Sequence, residues 1–109
     1  MATNRSKTKS NYRVVRADSG VYCGIVRSEA PNGEGKLIVQ LVDGRRIWSW
    51  VGWSVDNPVH TVEDIAAKGV ASGSKVSQAV SEMTVADARV TLLCTVNAET
   101  NLRSAKWAP

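Results

Sequence analysis

The sequence predicts an α+β domain, built mainly on an antiparallel β-sheet of five to six short strands, with one short helix and a second helical turn near the C-terminus. Segments rich in β-branched and aromatic residues alternate with Gly, Asp and Asn turn signals, which is the pattern of antiparallel hairpins. The start and stop signals of a helix flank one short segment, and no long βαβ crossover separates the strand segments.

The size and composition of the chain suit one small folded domain. It has 109 residues, of which 43% are hydrophobic and 22% are charged. No window approaches the roughly 18 apolar residues of a membrane span, and the first ten residues lack the apolar stretch of a secretory signal. We therefore expect a cytoplasmic protein without a membrane partner.

Positive charge is concentrated near the N-terminus. Five basic residues precede the first acid, Asp18, whereas the rest of the chain has nine basic and ten acidic residues. We expect a basic arm over residues 1–11 and a single compact domain over residues 12–109. The arm is either a solubilising terminus or a contact surface for nucleic acid or an acidic partner. The candidate contact residues are Arg5, Lys7, Lys9, Arg13 and Arg16.

The first strands are predicted from composition and from their turns. Tyr12–Arg16 and Val21–Val26 are rich in β-branched and aromatic residues, and a turn that ends at Gly20 separates them. The segment Glu29–Gly35 contains a proline, an Asn-Gly pair and two glycines, which indicates a hairpin loop.

A second hairpin is predicted around Asp43 and Gly44. The apolar segment Lys36–Val42 precedes this pair and Arg45–Val51 follows it. Asp-Gly accepts the positive φ angles of a type I′ turn, so the pattern favours two strands joined by a two-residue turn.

The helix is predicted over Val62–Lys68. Thr61 is a suitable N-cap, Asp64 supplies the carboxylate of a capping box, and Gly69 is a suitable stop residue. Towards the C-terminus, further strands are predicted over Lys75–Val80 and Ala88–Cys94. Asn97 is expected to cap a last helical turn that runs through Arg103, and Trp107 to dock the tail.

Alternation along the last strand of the second hairpin sorts its side chains onto two faces. Arg46, Trp48 and Trp50 share one face, which is either a core face or a surface that binds a ligand with its indoles and its guanidinium. The other face carries Ile47, Ser49 and Val51.

Residues for catalysis or for metal binding are sparse. Cys23 and Cys94 lie in apolar segments without CxxC spacing, and His60 is the single histidine. The glycines are scattered and form no phosphate-binding loop. We expect no enzyme activity, no cofactor and no metal site.

Several motifs, taken in order, resemble a family of small phage and prophage proteins that has an RRIWYW-type block. The matching segments are SGVYCG at 19–24, GRRIWSW at 44–50, VEDIAAKGV at 62–70, SEMTVADARVTLLCT at 81–95 and a tryptophan near the C-terminus. This family is similar to the Thoeris anti-defence sponges, which bind cyclic ADP-ribose signals or cyclic oligonucleotides without cleaving them. The resemblance implies a homo-oligomer that binds a small signalling nucleotide in pockets shared between protomers.

The chain also departs from that family pattern. Ser49 replaces a tyrosine, Val76 stands where an aromatic residue is common, and the segment 51–61 is longer. If the missing aromatic residue stacks on a base in the family, the pocket here is altered or uses Trp53 instead.

Capture of such a signal requires arginines for phosphates and flat apolar side chains for bases. Arg46 is expected to be the most sensitive of these residues, because it shares a face with two indoles. The full candidate set is Arg27, Arg45, Arg46, Arg89, Arg103, Trp48, Trp50 and Trp53.

The sequence is also compatible with two other functions. A nucleic-acid-binding β-domain would use the basic arm for phosphates and the tryptophans for bases. A protein-interaction module, which inhibits a host defence complex or serves as a small structural phage protein, would use exposed tryptophans as anchors. Four tryptophans in so small a domain also favour a homo-oligomer.

Overall fold

The computed structural model describes residues 11–106, so Arg5, Lys7, Lys9 and Trp107 lie outside the described residues. The predicted α+β class is confirmed, with a five-strand antiparallel sheet and two short helices. In chain order the elements are β1 (Tyr12–Ala17), β2 (Gly20–Pro31), β3 (Leu37–Ser49), α1 (Val62–Lys68), β4 (Lys75–Val76), β5 (Val80–Leu93) and α2 (Val96–Ser104).

The sheet has the order β2-β1-β5-β3-β4, and a further pairing between β2 and β3 closes four of its strands into a ring. In this ring β1 pairs with β2 and β5, and β3 pairs with the same two strands. The two-residue strand β4 adds to β3 at Ile47 and Ser49.

The predicted turn at Asp43 and Gly44 is wrong, because β3 runs continuously through both residues. Cys23 pairs with Arg45 and Ile25 pairs with Val42, so two residues of β3 lie opposite one residue of β2. This is a β-bulge, and Asp43 has the positive φ of 55° that it requires. The bulge bends a long strand where a turn would have divided it.

Strands β2 and β5 are longer than predicted, and β4 is shorter. β2 extends to Pro31, and the Asn32 carboxamide oxygen accepts hydrogen bonds from the backbone N–H groups of Glu34 and Lys36 at 2.7 and 3.2 Å. The expected strand Ala88–Cys94 begins at Val80 and ends at Leu93. The strand expected over Lys75–Val80 has only two residues.

The two faces of the sheet carry two separate apolar cores. One core lies under the helices and contains Tyr12, Cys23 and Ile47 together with Ile65 of α1 and Leu102 of α2. The second core takes its buried residues from three strands of the ring, and β2 adds the partly buried Tyr22 and Val26. In the described range its buried members all lie on strands: Val15, Ala17, Val39, Leu41, Val85 and Ala88.

Helix α1 forms over the predicted residues because its capping signals are local. The Thr61 hydroxyl accepts from the Asp64 N–H at 3.2 Å, the Asp64 carboxylate accepts from the Thr61 N–H at 3.3 Å, and the chain leaves the helix at Gly69. Asn101 of α2 secures this exit, because its side chain accepts from the N–H of Val70 and donates to its carbonyl, at 2.7 and 2.8 Å.

The predicted C-terminal helical turn is confirmed as α2, but Asn97 is not its cap. The Thr95 hydroxyl accepts from the Ala98 N–H at 3.1 Å, and the helix therefore begins at Val96. Among residues 11–106, neither helix is long and apolar enough to cross a membrane.

Candidate functional site

Arg45, one of the ligand-binding candidates, is a buried structural residue. Its side chain is 7% exposed, and Nε donates to the Ser77 carbonyl at 2.7 Å. Nη1 donates to the Leu102 and Arg103 carbonyls at 2.6 and 3.0 Å, and Nη2 donates to the Ala105 carbonyl. The guanidinium thus satisfies the carbonyls at the end of α2, which leaves it poorly placed to bind a phosphate.

Arg46 and Trp48 share a face of β3, as predicted, and form a cation–π stack. The guanidinium carbon lies 3.7 Å from the indole centroid and 5.6 Å from the ring centroid of Tyr22. Nη2 donates to the Ser19 carbonyl at 2.7 Å, and Nε is buried without a hydrogen-bond partner in the part of the chain that the structure describes. Trp48 is 52% exposed, so it is not a core residue.

Trp50 does not join this Arg46–Trp48 stack, which corrects the predicted face of three residues. β3 ends at Ser49, and strict alternation ends with it. Trp50 is half-buried and packs against the helix-side core that includes Ile47 and Val62.

Trp50 instead forms the wall of a cleft beside the start of α1, which we call the Trp50 cleft. The cleft has a volume of about 350 Å³ and is open to solvent. Arg16, His60, Thr61 and Glu63 also line it. One cleft therefore combines an indole, a guanidinium, an imidazole, a hydroxyl and a carboxylate.

Hydrogen bonds to Asp64 order the backbone of two residues that line the Trp50 cleft. The Asp64 carboxylate accepts hydrogen bonds from the backbone N–H groups of His60 and Thr61, and these bonds lower the pKa of that carboxyl. They fix the backbone that carries the imidazole. Arg16 is exposed on β1 and makes no ion pair with any residue in the described range.

Trp53 lines a different concavity, which we call the Trp53 cleft. This cleft has a volume of about 320 Å³ and lies between the loop after β3, the 70–74 segment and the end of α2. Trp53 is 44% exposed, and Ser72, Asn101 and Lys106 also line the cleft.

The remaining candidate arginines are paired with acids at separate places. Arg27 contacts Glu82 at 3.4 Å, and Arg103 contacts Glu99 at 2.6 Å. Arg103 also stacks over the Tyr12 ring at 4.8 Å. The structure thus does not gather the predicted set into one site.

Arg89 belongs to an ion cluster at the turn between β1 and β2. Its Nε donates to the Asp18 carboxylate at 2.5 Å, and Lys36 contacts the same carboxylate at 2.6 Å. The hydrogen bonds from Arg89 and Lys36 lower the pKa of Asp18 to about 2. Arg13, a predicted partner contact, lies 3.5 Å from Glu29 and donates to the Thr91 hydroxyl at 3.0 Å.

Cys23 and Cys94 are both buried, and they form no disulfide. Tyr12 donates to Cys23 Sγ at 3.4 Å, and burial raises the pKa of Cys23 to about 11. A thiol with a pKa this high is a poor nucleophile at neutral pH. Among the described residues, no group of three or more His, Cys, Asp or Glu side chains is placed to hold a metal ion.

Sequence reasoning missed His60, Glu63 and Lys106 as cleft residues, and it assigned Arg16 to partner contact only. For His60 a signal was available, since it immediately precedes the Thr61 cap and must lie beside the start of the helix. Lys106 carried no such signal, because its position depends on how α2 packs against the 70–74 segment.

Comparison with known proteins gives one family. The sequence model of DUF6948, described as a domain of unknown function, matches residues 11–102. No curated protein and no solved structure matches the chain.

Proposed function

We propose a function for this chain, which belongs to the DUF6948 family: it binds a small phosphorylated nucleotide signal and holds it without cleaving it. The observation that carries the proposal is the Trp50 cleft, where Arg16, Trp50 and His60 line one concavity. Its volume of about 350 Å³ lies in the size range of small-molecule sites.

The chemistry of these side chains fits a nucleotide. The planar guanidinium of Arg16 matches a phosphate with two parallel hydrogen bonds, and no ion pair within the described residues competes for it. The indole of Trp50 offers a flat surface for a base. His60 adds a second donor on the phosphate side.

Glu63 and Thr61 complete the recognition of a nucleotide in this proposal. A carboxylate accepts hydrogen bonds from ribose hydroxyls or from the amino group of a base, and the Thr61 hydroxyl donates to a ligand while it accepts from the Asp64 N–H. His60 and Glu63 are also the acid and base candidates of this cleft. The proposal of binding without cleavage therefore requires that the ligand is recovered intact.

The resemblance to small phage proteins gives the proposed nucleotide binding a biological role. The protein is then an anti-defence sponge that sequesters a cyclic ADP-ribose type signal or a cyclic oligonucleotide in the cytoplasm of an infected bacterial host. A homo-oligomer belongs to this proposal, because a cleft open to solvent holds a ligand more tightly when a second protomer covers it. Exposed apolar side chains, among them Trp48 and Val55, support an assembly.

Native mass spectrometry of protein purified from cells that produce the signal tests both parts of this proposal. We expect an oligomer that carries intact nucleotide. A monomer at high micromolar concentration would remove the shared-pocket part, and recovery of a hydrolysed ligand would show that the protein is an enzyme. The failure of purified protein to bind any cyclic nucleotide in calorimetry would remove the function itself.

A second candidate function is supported by the Arg46–Trp48 stack. Trp and Arg are enriched among the residues that anchor protein interfaces, and here they lie together while Trp48 is 52% exposed. In this alternative the stack docks on a host defence protein. Trp48→Ala would then abolish inhibition of that partner and leave nucleotide binding in the Trp50 cleft unchanged.

A further inference from the structure

We propose that the Trp53 cleft is a second binding site, and that it takes a planar aromatic molecule with one negative charge, such as an aromatic carboxylate. This inference does not depend on the nucleotide proposal, because the described residues that line the Trp53 cleft all differ from those that line the Trp50 cleft. It rests on three features of the cleft: an indole carried on a hydrogen-bonded hairpin, a preformed floor and a one-sided charge.

The indole of Trp53 stands on a small closed hairpin. The Trp53 N–H donates to the Asn57 carbonyl at 3.0 Å, and the Asn57 N–H donates back to the Ser54 carbonyl at 3.1 Å. Gly52 packs so closely on the end of this hairpin that a Cβ there would lie 2.7 Å from the backbone nitrogen of Val59. The indole is therefore presented on a preorganised support while 44% of the residue stays exposed.

The 70–74 segment forms the floor of the cleft, and hydrogen bonds from Asn101 and from Val51 hold it in place. Asn101 holds Val70 with two hydrogen bonds of 2.7 and 2.8 Å, and the buried Ser74 hydroxyl accepts from the Val51 N–H at 2.8 Å. The Ala71 N–H donates to the Val51 carbonyl at 3.0 Å. A ligand in this cleft meets a surface that is already ordered, so little conformational entropy is lost when it binds.

The charge around the Trp53 cleft has one sign. Its lining residues in the described range include Lys106 and no Asp or Glu. The end of α2 would normally contribute partial negative charge here. The buried guanidinium of Arg45, which donates to the Leu102 and Arg103 carbonyls, offsets that partial charge. The cleft is thus suited to an anion.

A single carboxylate fits this cleft better than a phosphate does. Lys106 is a compact point charge without the planar fork that grips a phosphate in two places, and no arginine lines the cleft in the described range. The hydroxyl of Ser72, which is exposed, can donate to the second carboxylate oxygen. The Trp53 indole then stacks on the ring of the ligand.

Titration of isotope-labelled full-length protein with indole-3-acetate and with its neutral analogue indole-3-acetamide tests this site by NMR. We expect shifts at the Trp53 indole N–H and at Ser72 and Gly73, and about fivefold tighter binding of the acetate, since a charge-assisted hydrogen bond is stronger than a neutral one. Lys106→Gln should remove that difference without weakening the acetamide.

Variants of Trp53 and a control variant in the Trp50 cleft test the same site. Trp53→Ala should weaken both probes roughly tenfold, and Trp53→Phe should weaken them less because it keeps a ring. Arg16→Gln, in the other cleft, should change neither affinity. Equal affinities for the two probes, shifts at Trp50 and His60 instead, or no binding of either probe would overturn the proposal.

Discussion

The guanidinium of Arg46 lies 3.7 Å from the centre of the Trp48 indole, and its Nη2 donates to the Ser19 carbonyl at 2.7 Å. Arg46 is therefore engaged with the protein itself, although it shares a strand face with an indole as predicted. Arg16, which has no ion pair within the described range, lies in a cleft with Trp50. This difference shifts the proposed binding site from β3 to the start of α1.

Arg45→Lys should destabilise the protein by about 2–5 kcal/mol, because a lysine cannot reach several carbonyls at once and leaves buried acceptors unpaired. The buried guanidinium of Arg45 connects β3 to the end of α2 through the Leu102 carbonyl at 2.6 Å. Urea unfolding measures the loss. Arg27→Lys, at an exposed ion pair, is the matched control and should cost less than about 1 kcal/mol. Equal costs for the two variants would contradict the structural role of Arg45.

Thr95→Ala should lower the free energy of unfolding by about 1 kcal/mol, since the Thr95 hydroxyl caps α2 through the Ala98 N–H. Asn97→Ala, two residues later on the exposed side of the same helix, should change it by less than about 0.5 kcal/mol. Chemical denaturation of both variants makes the comparison. The reverse order would restore Asn97 as the cap.

Asp43→Val should destabilise the protein by about 1–3 kcal/mol, because a β-branched residue is strained at the positive φ of the bulge. Asp43→Gly should be neutral or slightly stabilising, since glycine adopts this φ without strain. Thermal unfolding measured on both variants tests the bulge. If valine is tolerated as well as glycine, the backbone at this position does not have a positive φ.

Asp18→Asn should flatten the acid side of the stability profile. The pKa of Asp18 is lowered from 3.8 to about 2, mainly by the hydrogen bond from Arg89. A carboxylate with a lowered pKa contributes stability above its ordinary pKa and loses that contribution as the pH falls towards its folded value. Wild type should therefore lose stability between about pH 4 and 2, and the variant should lose less over the same interval. Denaturant midpoints against pH give the profile.

Asp56→Asn, at an exposed carboxylate of the 53–57 hairpin, serves as the control for this measurement. It should reproduce the wild-type profile. An Asp18→Asn profile as steep as that of wild type would show that the contacts with Arg89 and Lys36 do not stabilise the fold.

The parts of the fold that follow from local chemistry were predictable from the sequence. Helix α1 was predicted over its observed residues, because Thr61, Asp64 and Gly69 decide its ends within a few positions. The Asp43-Gly44 pair was misinterpreted because a type I′ turn and a bulge both accept a positive φ. What separates them is the pairing of β3 with β2 and β5 on both sides of the pair, which is not a local property.

The candidate site was predictable only in its residue types. Arg46 and Trp48 share a face because alternation along a strand is local. Trp50 leaves that face because β3 ends at Ser49, where β4 makes its last pairing. Arg45 is buried because the end of α2, more than fifty residues later, packs over it. Tertiary contacts of this kind leave no mark on the sequence around each residue.

Calorimetric titration with cyclic ADP-ribose and with a cyclic dinucleotide, on wild type, Arg16→Gln and Arg46→Gln, tests the central proposal most directly. We expect wild type to bind at least one of these ligands, Arg16→Gln to bind it roughly tenfold more weakly or worse, and Arg46→Gln to bind it almost as well as wild type. If wild type binds neither ligand, the proposed function is wrong. If Arg46→Gln loses binding while Arg16→Gln keeps it, the site is the Arg46–Trp48 stack and the assignment to the Trp50 cleft is contradicted.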